Sequence, residues 1–167
     1  MANLCTTRRL QLEHADRLAP DLTRIALLAK RHWGYPEAWI QEWTPQLTFT
    51  GDDIRRHPTW GAFDGPSLVG FTTLQVAPAE AAPGTEQVAS LEHMWLAPTH
   101  HGLGLGRRLF EALKSHAIES VVTELEVVSD PYAEGFYRKL GFLPHSTFST
   151  TVAGEPRSLP VLRLALG

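Results

Sequence analysis

Three glycines at alternate positions, Gly102, Gly104 and Gly106, stand between a bulky apolar run and a helical one, and this is the feature that most limits what the chain can become. Residues Leu91 to Leu96 are bulky and apolar except for Glu92 and His93. Pro98 stops that run, and from Arg107 onward Leu109, Phe110, Leu113 and Ala117 recur at helical spacing. The order is strand, turn, helix. The first N–H groups of a helix lack partners and point along the axis where its dipole is positive, and glycines remove the side chains that would hold a ligand away. A diphosphate fits such a place, with Arg107 and Arg108 adding cationic charge behind it. The plain alternative is a strand-to-helix turn that needs only free dihedrals.

The rest of the chain bounds the setting. At 167 residues and 43% hydrophobic it suits one domain over 1–167 with a single core. No apolar run is long enough for a membrane helix, and Met1-Ala2-Asn3-Leu4 lacks the charged-then-apolar order of a signal peptide, so a cytoplasmic protein is expected. A formal charge of −3 with scattered basic pairs argues against a nucleic-acid binder. The one cysteine, Cys5, reads as a small residue in or near a first strand. His93, His100, His101 and His116 match no usual zinc spacing, so no metal is expected.

Taken in order, Cys5 to Leu12 reads as a strand, and Asp16 with Pro20-Asp21 as a helix start. An apolar face of Leu22, Ile25, Ala26 and Ala29 follows, and Gly34 ends the helix. Pro36 opens a second short helix. Thr50 to Asp53 has the form of a capping box before a third. Trp60 to Asp64 and Ser67 to Val76 form a hairpin about Gly65-Pro66, and Ala77 to Thr85 is a loop. The strand from Gln87 and the helix from Gly104 to about Glu119 follow. Val121 to Val128 is then a strand, Tyr132 to Leu140 a helix capped by Gly141, and Phe142 to Val152 with Leu159 to Leu166 a last hairpin about Ala153-Gly154-Glu155-Pro156. Trp33, Tyr35, Trp39 and Trp43 crowd eleven residues, either as core packing or as one wall of a pocket.

The central run resembles the acyl-coenzyme A site of the GCN5-related N-acetyltransferase (GNAT) superfamily, whose pattern is Gln/Arg-x-x-Gly-x-Gly/Ala after a strand ending in hydrophobic-x-Pro. The matching residues are Leu96-Ala97-Pro98 and His101-Gly102-Leu103-Gly104-Leu105-Gly106, with His101 where Gln or Arg is usual. A second stretch, Asp130 to Phe142, is similar to the family's Asn-x-x-Ala-x-x-Phe-Tyr-x-Lys-x-Gly-Phe helix, with Asp130 in place of Asn.

The resemblance implies a mixed α/β fold: a central, mostly antiparallel sheet of six to seven strands, helices on both faces, and one splayed strand pair. It implies acetyl-coenzyme A as co-substrate. The pantetheine arm would run against Met94, Trp95 and Leu96, the diphosphate would sit on the loop from His101 to Arg107, and Asp130, Ala133, Phe136 and Tyr137 would add contacts. Tyr137 stands at the position of the family's proton donor, and the amide of Leu96 or a neighbour is the candidate oxyanion donor. Either Glu92 or His93 is the base, unless the amine arrives already deprotonated. His32, Trp33 and Tyr35 are candidates for the acceptor wall. The acceptor would be a small-molecule amine or a peptide amino group, and homodimers are common in the family. Two other readings stand beside this one: a catalytically silent coenzyme A-binding partner, and a dinucleotide loop with Glu124 as ribose acid. The second needs its third glycine where Arg107 stands.

Overall fold

The computed structural model describes residues 5–76 and 86–167. Its elements are β1 (Thr6–Arg9), α1 (Ala15–His32), α2 (Glu37–Trp43), α3 (Gly51–Arg56), β2 (Thr59–Asp64), β3 (Ser67–Val76), β4 (Val88–Leu96), α4 (Leu105–Glu119), β5 (Glu124–Val128), α5 (Glu134–Lys139), β6 (Leu143–Val152) and β7 (Glu155–Ala165). The seven strands hydrogen-bond in the order β1-β2-β3-β4-β5-β7-β6. The pairs β1–β2, β2–β3, β5–β7 and β6–β7 are antiparallel and β4–β5 is parallel, so the expected mixed, mostly antiparallel architecture is present. The parallel ladder covers only Val88 to Ser90 against Glu124 to Glu126.

The chain divides into two compact units, Met1–Thr73 with His93–Leu113, and Leu74–Glu92 with Lys114–Gly167. In the first, α1 buries Ala15, Leu18, Ala19, Leu22, Ile25, Ala26, Ala29 and Lys30 at three- and four-residue spacing. Against that face pack Leu47, Phe49, Ile54, Phe63, Leu68 and Phe71. Thr50 caps α3 as its sequence predicts: the Asp53 N–H donates to the Thr50 hydroxyl, and the Thr50 N–H donates to the Asp53 carboxylate at 2.7 Å. Gly65, with φ of 55°, turns β2 into β3. In the second unit Leu125, Val127, Phe142, Val152 and Leu162 are buried, and Arg163 on β7 pairs with Glu124 at 2.9 Å and Glu126 at 2.7 Å on its neighbour β5.

Several boundaries differ from the sequence expectation: β1 ends at Arg9 rather than Leu12, and α5 starts at Glu134 after a 3-10 turn at Pro131–Ala133. Helix α1 starts at Ala15, so Pro20 lies inside it, on its exposed side. Strand β5 starts at Glu124 rather than Val121. Val121 takes a left-handed φ of 61° and, with Val122, closes α4: the Val121 N–H donates to Ile118 O and the Val122 N–H to Ala117 O. Strand β7 starts at Glu155, because Ala153 and Gly154, with φ of 47° and 78°, make a two-residue turn that keeps both strands in register up to it. The loop expected at Ala77 to Thr85 lies outside the described residues. Among those described, no helix is long and apolar enough to cross a membrane.

Candidate functional site

In the first unit β4 runs into the glycine loop through a short 3-10 turn at Pro98–His100. Gly102 and Gly104 both have φ of 76°, a conformation that side chains resist, and a Cβ at either would meet nothing within 4 Å. The first helical bond of α4 runs from the Arg108 N–H to Gly104 O at 3.1 Å. The N–H groups of Leu105, Gly106 and Arg107 therefore have no acceptor within the helix. Gly106 lies inside the first turn of α4, so two glycines rather than three shape the bend. Leu105 is fully buried and anchors the helix start, while Leu103 and Arg107 are exposed. The result is an open, side-chain-free cradle of main-chain donors at the positive end of a 15-residue helix.

His101, the departure from the family pattern, has its Nε2 at 3.2 Å from Leu96 O, so this nitrogen carries the proton and ties the loop back to the end of β4. His32, at the end of α1, lies edge-on to His101 at 5.3 Å. The end of β4 is held against β3 by the Ala97 N–H donating to Val69 O at 2.7 Å and by Gly70. A Cβ at Gly70 would come within 2.5 Å of a Leu96 methyl and 3.0 Å of Trp95 O. Met94, Trp95 and Leu96 are half-buried.

The two candidate bases differ in surroundings. Glu92 is exposed, and one of its carboxylate oxygens accepts from the Ser90 hydroxyl at 2.9 Å. The His93 ring is half-buried, edge-on to Phe49 at 4.8 Å, and its Nδ1 accepts from the Trp95 indole N–H at 3.4 Å. The aromatic run gathers around a cation, with Trp43 also packed against the core of the first unit. Trp33, Tyr35 and Trp43, joined by Trp95 of β4, surround the Lys30 ammonium, with ring centroids at 5.7, 5.2, 4.1 and 5.7 Å from Nζ. Trp39 stacks on Tyr35 behind them. Sequence reasoning missed Lys30; the available signal was a lysine falling on the inner face of α1, one position after Ala29.

In the second unit Tyr137 is 5% exposed, between Phe136 and Phe142. Burial pushes its phenol well above the usual tyrosine value, and the Asp130 carboxylate adds to the rise, so the group stays protonated. Asp130 is used locally: one oxygen accepts from the Tyr132 N–H at 3.0 Å and the other pairs with Arg157 of β7 at 3.1 Å. Ala133 and Phe136 on the same short helical stretch are half-buried. Glu124, the acid a dinucleotide reading requires, is held by Arg163.

The sequence model of the acetyltransferase (GNAT) family matches residues 23–142. The chain belongs to this family. Among solved structures it is similar to the PaiA N-acetyltransferase of Thermoplasma acidophilum in complex with coenzyme A, with a TM-score of 0.73 and 18% identity over 96% of this chain and 98% of that one. It is also similar to YncA of Salmonella typhimurium with acetyl-coenzyme A, at 0.64 and 14% over 99% and 95%. The ribosomal-protein-S18-alanine N-acetyltransferase of Escherichia coli gives 0.66 and 18% over 98% and 95%. At these identities the likeness is one of fold. No curated protein sequence matches significantly.

Proposed function

We propose that the chain is an acetyl-coenzyme A dependent N-acetyltransferase acting as one domain over residues 1–167. It moves the acetyl group to a primary amine of a small molecule or to a free peptide amino group, by direct attack in a ternary complex. One observation carries the reading: Gly102 and Gly104 hold a left-handed, unobstructed bend at the start of α4 in a chain matched by the acetyltransferase family over 23–142. Acetyl-coenzyme A is the co-substrate. Its diphosphate is assigned to the N–H groups that open α4, and its pantetheine arm to the main chain of Met94 to Leu96.

The amine nitrogen attacks the thioester carbonyl, and Glu92 takes the amine proton. The amide at Leu96 steadies the oxyanion, the carbon–sulfur bond breaks, and the Tyr137 phenol gives the departing thiolate its proton. Glu92 is preferred to His93 because its carboxylate is exposed, whereas the imidazole already accepts from Trp95 and rests on Phe49. His32, Trp33 and Tyr35 are assigned to the acceptor wall. The test is a panel of amino acids, polyamines, aminoglycosides and peptide N-termini with acetyl-coenzyme A, read by free thiol release and by the mass of the product. Amine-dependent thiol release supports the reading. Binding of the thioester with no acceptor turned over would instead make this a silent binding protein.

A further inference from the structure

Away from the glycine cradle, three chain segments bring a thiol, an imidazole and a carboxylate together. Cys5 precedes β1, Asp64 ends β2 and His100 closes the 3-10 turn before the loop, and one ligand atom from each lies within 4.8 Å of the other two. From these residues we infer that the protein carries a zinc(II) site formed by Cys5, Asp64 and His100, a function outside the acetyl-transfer reading.

The donor chemistry favours zinc. A thiolate and an imidazole select borderline and soft cations over magnesium or calcium, and three protein ligands with a fourth position left to water make a familiar zinc set. The histidine ring is placed for the task, although its Nε2 proton must move to Nδ1 before Nε2 can bind a metal. Its Nε2 faces an Asp64 oxygen at 3.2 Å, while its Nδ1 lies 2.9 Å from the Thr99 hydroxyl. A zinc-bound histidine needs such an outer partner, because the second ring nitrogen must hold its proton and fix the ring plane. The His100 backbone is also pinned, its N–H donating to Ala97 O at 2.9 Å, and the Cys5 carbonyl accepts from Arg108 of α4 at 2.8 Å.

An entry path exists. The Asp64 side chain is 55% exposed and that of His100 18%, although Cys5 itself is 5% exposed. Tetrahedral coordination sets neighbouring donors about 3.5 Å apart, so closure from separations of up to 4.8 Å needs a contraction of about 1.3 Å at most. As the bonds to zinc form, the Cys5 sulfur loses its proton to solvent and the His100 ring exchanges its Nε2 proton for one on Nδ1, which donates to the Thr99 hydroxyl oxygen; the ion with one thiolate and one carboxylate is then locally neutral. In this sequence Cys5, Asp64 and His100 are 59 and 36 positions apart, far from any contiguous zinc pattern.

The experiment titrates the full chain with zinc against a chromophoric chelator, and repeats the titration with cobalt(II) to read its sulfur charge-transfer band. One zinc per chain and a sulfur-to-cobalt band are expected. Affinity should fall at least about a hundredfold in Cys5→Ser and His100→Gln, and about ten- to a hundredfold in Thr99→Val. Coenzyme A binding by each variant checks that the chain is folded, and keeps a failure of zinc binding separate from a failure of the acetyl-transfer reading. Absence of stoichiometric zinc binding would overturn the site, as would zinc binding that Cys5→Ser leaves unchanged.

Discussion

Gly104 combines a φ of 76° with open space where a side chain would stand. Valine there would force a β-branched residue into the left-handed region, at a cost of about 1–2 kcal/mol, and would set two methyls over the N–H groups that open α4. Coenzyme A affinity measured by calorimetry is expected to fall at least about tenfold in Gly104→Val; an unchanged value would mean that the diphosphate binds elsewhere. At Tyr137 the expectation concerns turnover instead. The phenol is buried and held protonated, so Tyr137→Phe should lower kcat by about a hundredfold with coenzyme A affinity nearly unchanged. Steady-state kinetics beside a binding titration separates the two, and full activity would remove the proposed proton donor. The bend at Gly102 and Gly104 was legible in the sequence because it sits in a short contiguous pattern. The partners of Asp130 were not: Arg157 is 27 positions away, and only the pairing of distant strands brings it near.

Among the elements, β3 and β4 come close together at Gly70. Gly70→Val would drive its new methyls into Leu96 and the Trp95 carbonyl, where 2.5 Å and 3.0 Å leave no room. Overpacking of this kind costs about 1–3 kcal/mol, and here it displaces the strand end assigned to the thioester. A lower urea midpoint together with a raised KM for acetyl-coenzyme A is expected, and loss of stability without any kinetic change would detach β3 from the site. For α3, Thr50→Ala removes the hydroxyl that accepts from Asp53 and should cost about 1 kcal/mol in chemical denaturation. Burial alone would raise the Asp53 carboxyl, but hydrogen bonds from the Thr50 backbone and hydroxyl outweigh it and hold Asp53 below its ordinary value. Four neighbouring residues were enough to foresee this cap. The start of β5 was misread for the opposite reason. The valines at 121 and 122 have strand propensity, yet carbonyls at the end of α4 claim their N–H groups.

For the whole molecule, the buried phenol couples folding to pH. Its folded pKa lies above the unfolded value of about 10, so its stabilising contribution is fully present below pH 10 and is lost as pH rises beyond that. Urea midpoints compared between pH 8 and 11 should fall more steeply for the wild-type chain than for Tyr137→Phe. Parallel slopes would show that the phenol titrates equally in both states.

The sequence by itself determined what local periodicity and backbone freedom can encode: the helix face of α1, the hairpin at Gly65, the capping box at Thr50, and the strand-turn-helix about Gly102 and Gly104. Only the tertiary structure decided what Lys30 and Cys5 are for. The rings of Trp43 and Trp95 reach one ammonium from two distant segments, and Asp64 and His100 reach one thiol in the same way. The physical reason is reach. Hydrogen bonds between near neighbours leave a mark in spacing, whereas a cluster gathered from segments far apart in sequence exists only once the strands between them have paired.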